Sequence, residues 1–207
     1  MLISHKYKFI FIKTKKTAGT SIEVALSKLM GNLDVVTPLK PQEKEHIPRN
    51  YFFKDIKFYN HMSISKVQQI IPKNMFYNYF KFCVEREPVD KCISHFSALK
   101  NRPRHNTQTN NLSWENYLKL GFFPIDTNKY TDNEGGLLVD KIIHYENLDN
   151  ELSKLGLQLG FSFETLKENA KSGFRENIEI KHEHKKIIYK AFESSNKFTN
   201  YKKAESL

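Results

Sequence analysis

The sequence has few cysteines and no long apolar run. Its two cysteines, Cys83 and Cys92, are too few for a disulfide framework or a structural zinc site, so we expect reduced, buried thiols. No apolar stretch approaches the roughly 20 residues that a membrane-spanning helix requires, and we expect no integral membrane segment. Lys6, Lys8 and Lys13 interrupt the apolar residues at the start of the chain, which is not typical of a signal peptide. These absences favour a cytoplasmic protein over the membrane, secreted disulfide-rich and zinc-finger classes.

Arginine is also scarce, although the chain is basic. Only five of the 33 basic residues are Arg, and the formal net charge is +10. An excess of positive charge favours a polyanionic partner such as nucleic acid, a phosphorylated cofactor or an acidic glycan. Dedicated nucleic-acid readers usually rely on Arg for bidentate contacts. An AT-rich genome would explain the abundance of Lys and Asn equally well, so charge alone does not choose the partner.

The length and the order of predicted elements indicate the fold class. A chain of 207 residues, 39% of them hydrophobic, suits a single domain over 1–207 with a substantial core. Strands that alternate with helices predict an α/β fold, with a parallel β-sheet flanked by helices. The opening segment predicts one strand that includes 7–12. The further predicted strands are 75–84 and 137–145, and the predicted helices begin at residues 20 and 88 or span 63–71, 148–159 and 181–201.

The loop between the first strand and the first helix has the composition of an anion site. In a parallel sheet this turn lies at the carboxyl edge, where the amides of the helix N-terminus attract anions. The loop combines one cation with small residues and hydroxyls: Lys16, Thr17, Ala18, Gly19, Thr20 and Ser21. A nucleoside triphosphatase loop would require GxxxxGK[ST], and here the Lys precedes the only Gly. For this loop alone, a polar helix cap without a ligand remains an alternative.

A second strand-to-helix turn follows about 70 residues later and also carries a cation. Arg86 stands at the predicted strand end, and Ser94 lies two helical turns beyond it. Arg offers a planar fork of donors to a phosphate, and Ser adds a short hydroxyl contact. If this turn stood alone, a surface Arg and a solvated Ser would be the simpler interpretation.

The two turns together resemble those of the nucleotide-dependent sulfotransferase superfamily, particularly its carbohydrate sulfotransferase-like branch. The first reads FIFIKTKKTAGTSIE and resembles the family's 5′-phosphosulfate loop, which usually reads Pro-Lys-Thr-Ala-Gly-Thr-Ser. The second reads REPVDKCISHF and is similar to the family's 3′-phosphate element. Two further stretches resemble the family: HMSISKVQQI is similar to its His-plus-small-residue helix start, and HYENL to its Glu-Asn-Leu element after the third strand. The resemblance therefore covers about residues 7 to 160. One departure is Lys15, where the family commonly has Pro.

The resemblance implies a P-loop-like sulfotransferase fold and a defined cofactor, 3′-phosphoadenosine 5′-phosphosulfate (PAPS). It implies that Lys16 stabilises the charge on the leaving phosphate, while Thr17, Ala18, Gly19, Thr20 and Ser21 hold the 5′-phosphosulfate. Arg86 and Ser94 would bind the 3′-phosphate. No metal is expected, and the sequence offers no convincing cage of carboxylates or histidines for one.

The acceptor needs a general base, for which His61 is the first candidate. A neutral imidazole titrates near working pH, and the resembling family commonly carries a catalytic His at this place. A His that merely packs beside the following helix is the alternative. Glu85 and Glu87 are the other candidate bases, although we expect them to pair with nearby Lys or Arg. His182 and His184 are two residues apart, a spacing that does not put them on one helical face, so we expect both to be solvated.

The expected acceptor is a small molecule or glycan, with a carbohydrate or glycan precursor favoured and an anionic sugar conceivable. The loop 101–113 contains Arg102, Arg104 and His105, and it could cover the site or form a solvated connection. We expect a cytoplasmic enzyme of bacterial or viral origin, with no nucleic-acid partner. Two other classes stay open at this stage: a basic α/β nucleic-acid- or nucleotide-binding protein, and a kinase with a degenerate P-loop that would require Mg²⁺ and nucleoside triphosphate.

Overall fold

The structure is a computed structural model and describes residues 1–101, 112–163, 166 and 175–201. The described strands are β1 (Leu2–Ser4), β2 (Phe9–Ile12), β3 (Val35–Val36), β4 (Phe52–Phe53), β5 (Ile56–Lys57), β6 (Phe80–Glu85) and β7 (Lys141–His144). The described helices are α1 (Gly19–Leu29), α2 (Ile64–Ile70), α3 (Lys73–Asn78), α4 (Pro88–Asn101), α5 (Trp114–Leu120), α6 (Thr127–Tyr130), α7 (Leu148–Leu159), α8 (His182–Ala191) and α9 (Glu193–Thr199). Within this part of the chain, no helix is long and apolar enough to cross a membrane.

The chain divides into two compact units. The first is drawn from residues 1–85 and 126–169, and the second from residues 86–125 and 170–207. A single domain over 1–207 therefore stays a prediction.

The first unit is built on a mixed sheet with the strand order β3–β1–β2–β6–β7. Its core strands β2, β6 and β7 are parallel, whereas β1 is antiparallel to both of its neighbours. The prediction of an α/β fold with parallel core strands flanked by helices is confirmed.

The opening segment forms a hairpin, and the expectation of one strand there is wrong. Only four residues join Ser4 to Phe9, which is too short for the crossover that a parallel pair requires. The Asp34 carboxylate holds this turn, because it accepts hydrogen bonds from the His5 amide at 2.7 Å and from the Ser4 hydroxyl at 2.8 Å. The sheet is therefore mixed rather than parallel throughout.

The core of the first unit fixes the strands that end at the candidate site. Phe9, Phe11 and Phe82 are fully buried, and the Phe82 ring of β6 contacts the rings of both Phe9 and Phe11 of β2. Leu26 of α1 and Leu152 of α7 belong to the same buried cluster. The helices that follow β2 and β7 thus pack on one core, and this packing fixes the positions of the turns that precede them.

The segment before β6 is helical in its first half, which corrects the prediction of one strand over 75–84. Pro72 precedes α3, where its fixed φ and missing N–H favour a helix start. In α3 the Phe76 side chain is buried, while the adjacent Tyr77 is exposed. One buried side chain is enough to hold a helix of this length against the rest of the unit. Aromatic residues are common in both kinds of element, so composition alone misassigned the segment.

The second unit packs α4, α5 and α8 around an aromatic cluster that includes Phe96, Trp114 and Tyr117, and α9 packs against α8. The predicted single helix 181–201 is wrong, because α8 ends at Ala191 and α9 begins at Glu193. At the break, the Ser195 hydroxyl donates to the Phe192 carbonyl at 2.9 Å. Serine hydroxyls compete in this way for backbone carbonyls that would otherwise continue a helix.

Candidate active site

The carboxyl ends of β2, β6 and β7 lie at one edge of the sheet. The register pairs Ile12 with Cys83 and Glu85 with His144, so the three parallel strands end side by side. The turn after β2 leads into α1, and a 3₁₀ turn after β7 leads into α7. Ligands of open parallel sheets bind outside this edge. The sequence-predicted anion loop therefore lies where the fold class favours a ligand.

The anion loop leaves the N-terminus of α1 without a side-chain cap. Lys16 and Ala18 both have positive φ, 63° and 55°, which curls the backbone between β2 and the helix. Ala18 is the N-cap and makes no side-chain hydrogen bond, and the first turn of α1 contains no acidic residue. The first amides of a helix have no intrahelical partner, and the dipole makes that end attractive to anions. The geometry thus suits a phosphate or sulfate group, as the sequence indicated.

Lys13 is a buried cation under this helix start, and sequence reasoning did not single it out. Its Nζ donates to Glu23 at 2.8 Å and to the Thr20 hydroxyl at 3.1 Å, and the residue is only 4% exposed. Gly19 allows this arrangement, because a Cβ there would lie 2.7 Å from Cγ of Lys13. The glycine of the loop is needed for the passage of the lysine stem.

Two threonines brace the loop from within. The Thr17 and Thr14 hydroxyls are 2.9 Å apart, and the Thr14 hydroxyl donates to the Val84 carbonyl of β6. Thr17 is fully buried. Its hydroxyl is therefore engaged inside the protein, and the group that Thr17 can offer to a ligand is its backbone amide.

His61 lies against the start of the anion loop. Its Nδ1 is 3.0 Å from the carbonyl oxygen of Lys13. A carbonyl only accepts, so Nδ1 carries the proton and the neutral ring presents an unprotonated Nε2. Burial first, and then the positive charge of Lys13, lower the pKa of His61 from 6.5 to about 4. The ring is therefore neutral at physiological pH, which is the state that a general base requires.

Asp126 holds the other side of the loop. Its carboxylate accepts a hydrogen bond from the Lys15 amide at 2.7 Å, and the residue is 1% exposed. Its negative charge also offsets part of the downward shift in the pKa of His61. No local pattern could have revealed this residue, because it is 111 positions away from its partner.

Glu85 ends β6 and is buried beside Tyr130. Burial, and then the charge of Glu85, raise the pKa of the Tyr130 phenol. Glu85 is 2% exposed. The structure thus gives Glu85 a buried tyrosine neighbour, and its pairing with a Lys or Arg stays a prediction.

In the second unit, three polar residues follow one another at a spacing of four positions: Arg86, Asp90 and Ser94. Arg86 donates through Nε to Asp90, which also forms an ion pair with Arg175. Burial would raise the pKa of Asp90, but the hydrogen bonds and charges of Arg175 and Arg86 outweigh it, and the net shift is downward. An ionised Asp90 therefore orients the guanidinium of Arg86, a role that the sequence analysis did not assign.

Comparison with protein families identifies the chain. The model of the Sulfotransferase family matches residues 1–204. The chain belongs to the sulfotransferase family. Family membership implies PAPS-dependent sulfotransferase activity, so the resemblance drawn from the two turns is confirmed. A search of the curated proteins found no match.

In this sulfotransferase, Glu87 has a structural position. Its carboxylate accepts hydrogen bonds from the amides of Val89 at 3.1 Å and Asp90 at 2.7 Å, and from the Tyr189 hydroxyl. A carboxylate at a helix start satisfies its amides and complements the dipole. This geometry favours a helix cap over a general base for Glu87.

The two C-terminal histidines of the sulfotransferase do not behave alike. His182 is exposed as predicted, but His184 is 6% exposed, so the expectation that both are solvated is wrong. Nδ1 of His184 accepts from the Trp114 indole at 3.2 Å and from the Lys181 amide at 3.3 Å, because a buried indole N–H needs an acceptor.

Among the described residues, no group of three or more His, Cys, Asp or Glu could hold a metal ion. Arg102, Arg104 and His105 lie outside the described residues.

Asp126 provides the first prediction about this sulfotransferase. Lys15 stands where the family commonly has Pro, and we expect its hydrogen bond to Asp126 to give the loop rigidity that a Pro ring would otherwise give. We expect Asp126→Ala to lower the free energy of unfolding by about 2 kcal/mol, the usual cost of losing a buried charge-assisted bond. Chemical denaturation measures this. Asp126→Asn keeps an acceptor oxygen and should lose less. If Asp126→Ala in a Lys15→Pro background costs as much as it does alone, the two residues are not coupled and the assignment is wrong.

Proposed function

We propose that this sulfotransferase moves a sulfuryl group from PAPS to a hydroxyl or amine of a carbohydrate or glycan precursor. The observation that most supports an enzyme acting on a proton-bearing acceptor is the neutral His61, held by the Lys13 carbonyl where the anion loop begins. We also propose that the reaction takes place in the cytoplasm, for which the two free, buried cysteines give some support.

The anion loop fits the 5′-phosphosulfate. When bound, PAPS supplies the sulfuryl group and a phosphate that leaves with negative charge. The uncapped first turn of α1 offers backbone donors, and the positive φ values curl the loop around them. We assign this end of PAPS to Lys16, Thr17, Ala18, Gly19, Thr20 and Ser21.

Arg86 and Ser94 fit the 3′-phosphate. The Asp90 carboxylate engages Nε of Arg86 and orients its guanidinium, a planar group whose geometry suits a phosphate. Ser94 is half-buried on α4, four residues after Asp90. Contacts to the 3′-phosphate would let the protein distinguish PAPS from adenylates that lack this group.

His61 and Lys16 divide the chemical work in this proposal. Nε2 of His61 accepts the proton of the acceptor hydroxyl, while its Nδ1–H bond to the Lys13 carbonyl keeps the ring oriented. The Lys16 ammonium offsets the negative charge that grows on the leaving phosphate oxygen, so it stabilises the transition state more than the ground state.

The second prediction concerns ligand selectivity and tests the proposal against its two alternatives. Adenosine 3′,5′-bisphosphate should stabilise the protein by about 2.7 kcal/mol at a hundred times its dissociation constant. AMP, ATP with Mg²⁺ and an oligonucleotide should stabilise it much less. Thermal-shift measurements compare the four ligands directly. Stabilisation by ATP with Mg²⁺ would favour the degenerate kinase, and salt-sensitive stabilisation by the oligonucleotide alone would favour a nucleic-acid-binding protein.

Arg86→Ala should remove most of the preference for the bisphosphate over AMP, because it deletes a charge-assisted contact. Arg175→Ala is the matched control, since Arg175 is the other partner of Asp90. It should leave the preference in place. An equal loss in both variants would mean that the Asp90 ion pairs, and not a phosphate contact of Arg86, set the selectivity.

A further inference from the structure

Strands β4 and β5 form a small hairpin of their own with unusually exposed apolar side chains. We call residues 51–59 the aromatic hairpin. Phe52, Phe53 and Ile56 are 58%, 38% and 47% exposed. At its base, Phe58 is buried in the first unit and its amide donates to the Tyr51 carbonyl at 2.8 Å. The hairpin is therefore anchored at one end and presents its apolar side chains to solvent.

These apolar side chains lie on both faces of the hairpin. The register pairs Phe52 with Lys57 and Phe53 with Ile56. Successive residues of a strand point to opposite faces, so Phe52 lies on one face while Phe53 and Ile56 lie on the other. An exposed apolar patch usually marks an interaction surface. A partner that contacts only one face would leave the other apolar face in water.

Lysine ammonium groups surround the rings. The Nζ of Lys57 is 5.5 Å from the ring centre of Phe52, and that of Lys54 is 5.9 Å from Phe53. The Nζ of Lys66, on α2, lies 5.8 Å from the ring of Tyr59. Asp55 is the one acidic residue in the segment 51–59. The surface thus combines an apolar tip with a cationic rim.

An anionic lipid surface matches this combination better than a sugar does. Phe and Ile side chains have no groups to hydrogen-bond sugar hydroxyls. A lipid interface accepts apolar side chains from every face of a small projection, while its anionic head groups attract the lysines. We propose that the aromatic hairpin docks this protein peripherally onto an anionic membrane surface. This goes beyond the proposed sulfuryl transfer and does not depend on it.

Vesicle binding by the full chain tests the apolar contribution. The protein should sediment with vesicles of phosphatidylcholine mixed with phosphatidylglycerol, and much less with phosphatidylcholine alone. The variant Phe52→Ser/Phe53→Ser/Ile56→Ser should bind the mixed vesicles about tenfold more weakly or worse. The matched control changes three exposed apolar residues elsewhere, Leu33→Ser/Tyr77→Ser/Leu157→Ser. It should bind like the wild type, because the hairpin is intact. The net charge is the same in all three proteins, so charge cannot account for a difference between the two variants.

The charged rim is tested separately. We expect Lys54→Gln/Lys57→Gln to weaken binding to the mixed vesicles by about tenfold, since each interfacial lysine contributes to the attraction. Lys186→Gln/Lys190→Gln removes the same charge from exposed positions of α8 and should have a much smaller effect. Equal losses in both pairs would mean that net charge alone binds the vesicles, and the proposal would be overturned.

Insertion of the hairpin gives an optical signal. Trp114 is the single native Trp and is 5% exposed, so its emission should not change on binding. Phe52→Trp should add an exposed indole whose emission shifts to the blue on mixed vesicles. No shift, or no vesicle binding by the wild type, overturns the proposal. A different oligomeric state of the triple Ser variant, measured by light scattering against the wild type, would also overturn the proposal. The hairpin would then contact a second copy of the chain and not a membrane. Bisphosphate stabilisation is independent of all these results.

Discussion

Replacing His61 by Ala should slow sulfuryl transfer by about 10²–10⁴-fold while leaving bisphosphate affinity nearly unchanged. The reason is that Nε2 faces the acceptor proton in our proposal, whereas Nδ1 is bound to the Lys13 carbonyl. Steady-state transfer rates and calorimetric titration of the bisphosphate measure the two quantities. This is the largest effect that we expect from any single substitution.

His61→Asn is the matched control for a structural role. An Asn side chain can donate to the Lys13 carbonyl as Nδ1 does, and Asn tolerates the positive φ of 60° found at this position. It has no basic nitrogen. If His61 is the base, both variants should be equally slow. Recovery of activity in His61→Asn would mean that the ring only positions the loop.

The wild-type pH profile follows from the same contact. Because the pKa of His61 is lowered to about 4, kcat/KM should stay level through neutral pH and fall only as the ring is protonated near pH 4. Bound PAPS brings negative charge and favours the protonated ring, so the fall in kcat should lie at higher pH than the fall in kcat/KM. A kcat/KM that already falls near the ordinary His pKa of about 6.5 would contradict the half-buried, neutral ring.

Replacing Lys16 by Ala should lower kcat by about a hundredfold or more, or roughly 3 kcal/mol, which is typical of losing one preorganised electrostatic contact. Bisphosphate affinity should fall with it, because the ammonium also meets the bound phosphate. Lys15→Ala is the matched control, since it removes the same charge from the adjacent, exposed side chain. Equal losses in the two variants would show that the loop acts through its overall charge and not through Lys16.

Local pattern was sufficient where one stretch of chain determines its own structure. The prediction of a helix over 148–159 agrees with α7, and Pro88 does begin α4. Both are marked by apolar periodicity and by a residue suited to the helix end. The anion loop is of the same kind, because its turn, small residues and helix start are contiguous.

Long-range contacts could not be predicted in this way. Lys13 looked like an interruption in an apolar strand, and only the fold shows its amine on Glu23 beneath α1. Asp126 reaches the Lys15 amide from 111 positions away. The ion pair of Asp90 with Arg86 could be guessed from the spacing of four, but its second partner Arg175 could not. Such contacts position the predicted residues, and they depend on tertiary packing.

The most direct test of the central claim is sulfuryl transfer from sulfur-labelled PAPS in the presence of a panel of carbohydrate acceptors. Our account predicts a labelled acceptor, formed together with an equal amount of adenosine 3′,5′-bisphosphate, by the wild type and Lys15→Ala. His61→Ala and Lys16→Ala should form little product. Transfer that persists undiminished in both of these variants would contradict the assigned roles. No labelled product from any carbohydrate, with full transfer to a non-carbohydrate acceptor, would contradict the proposed acceptor class.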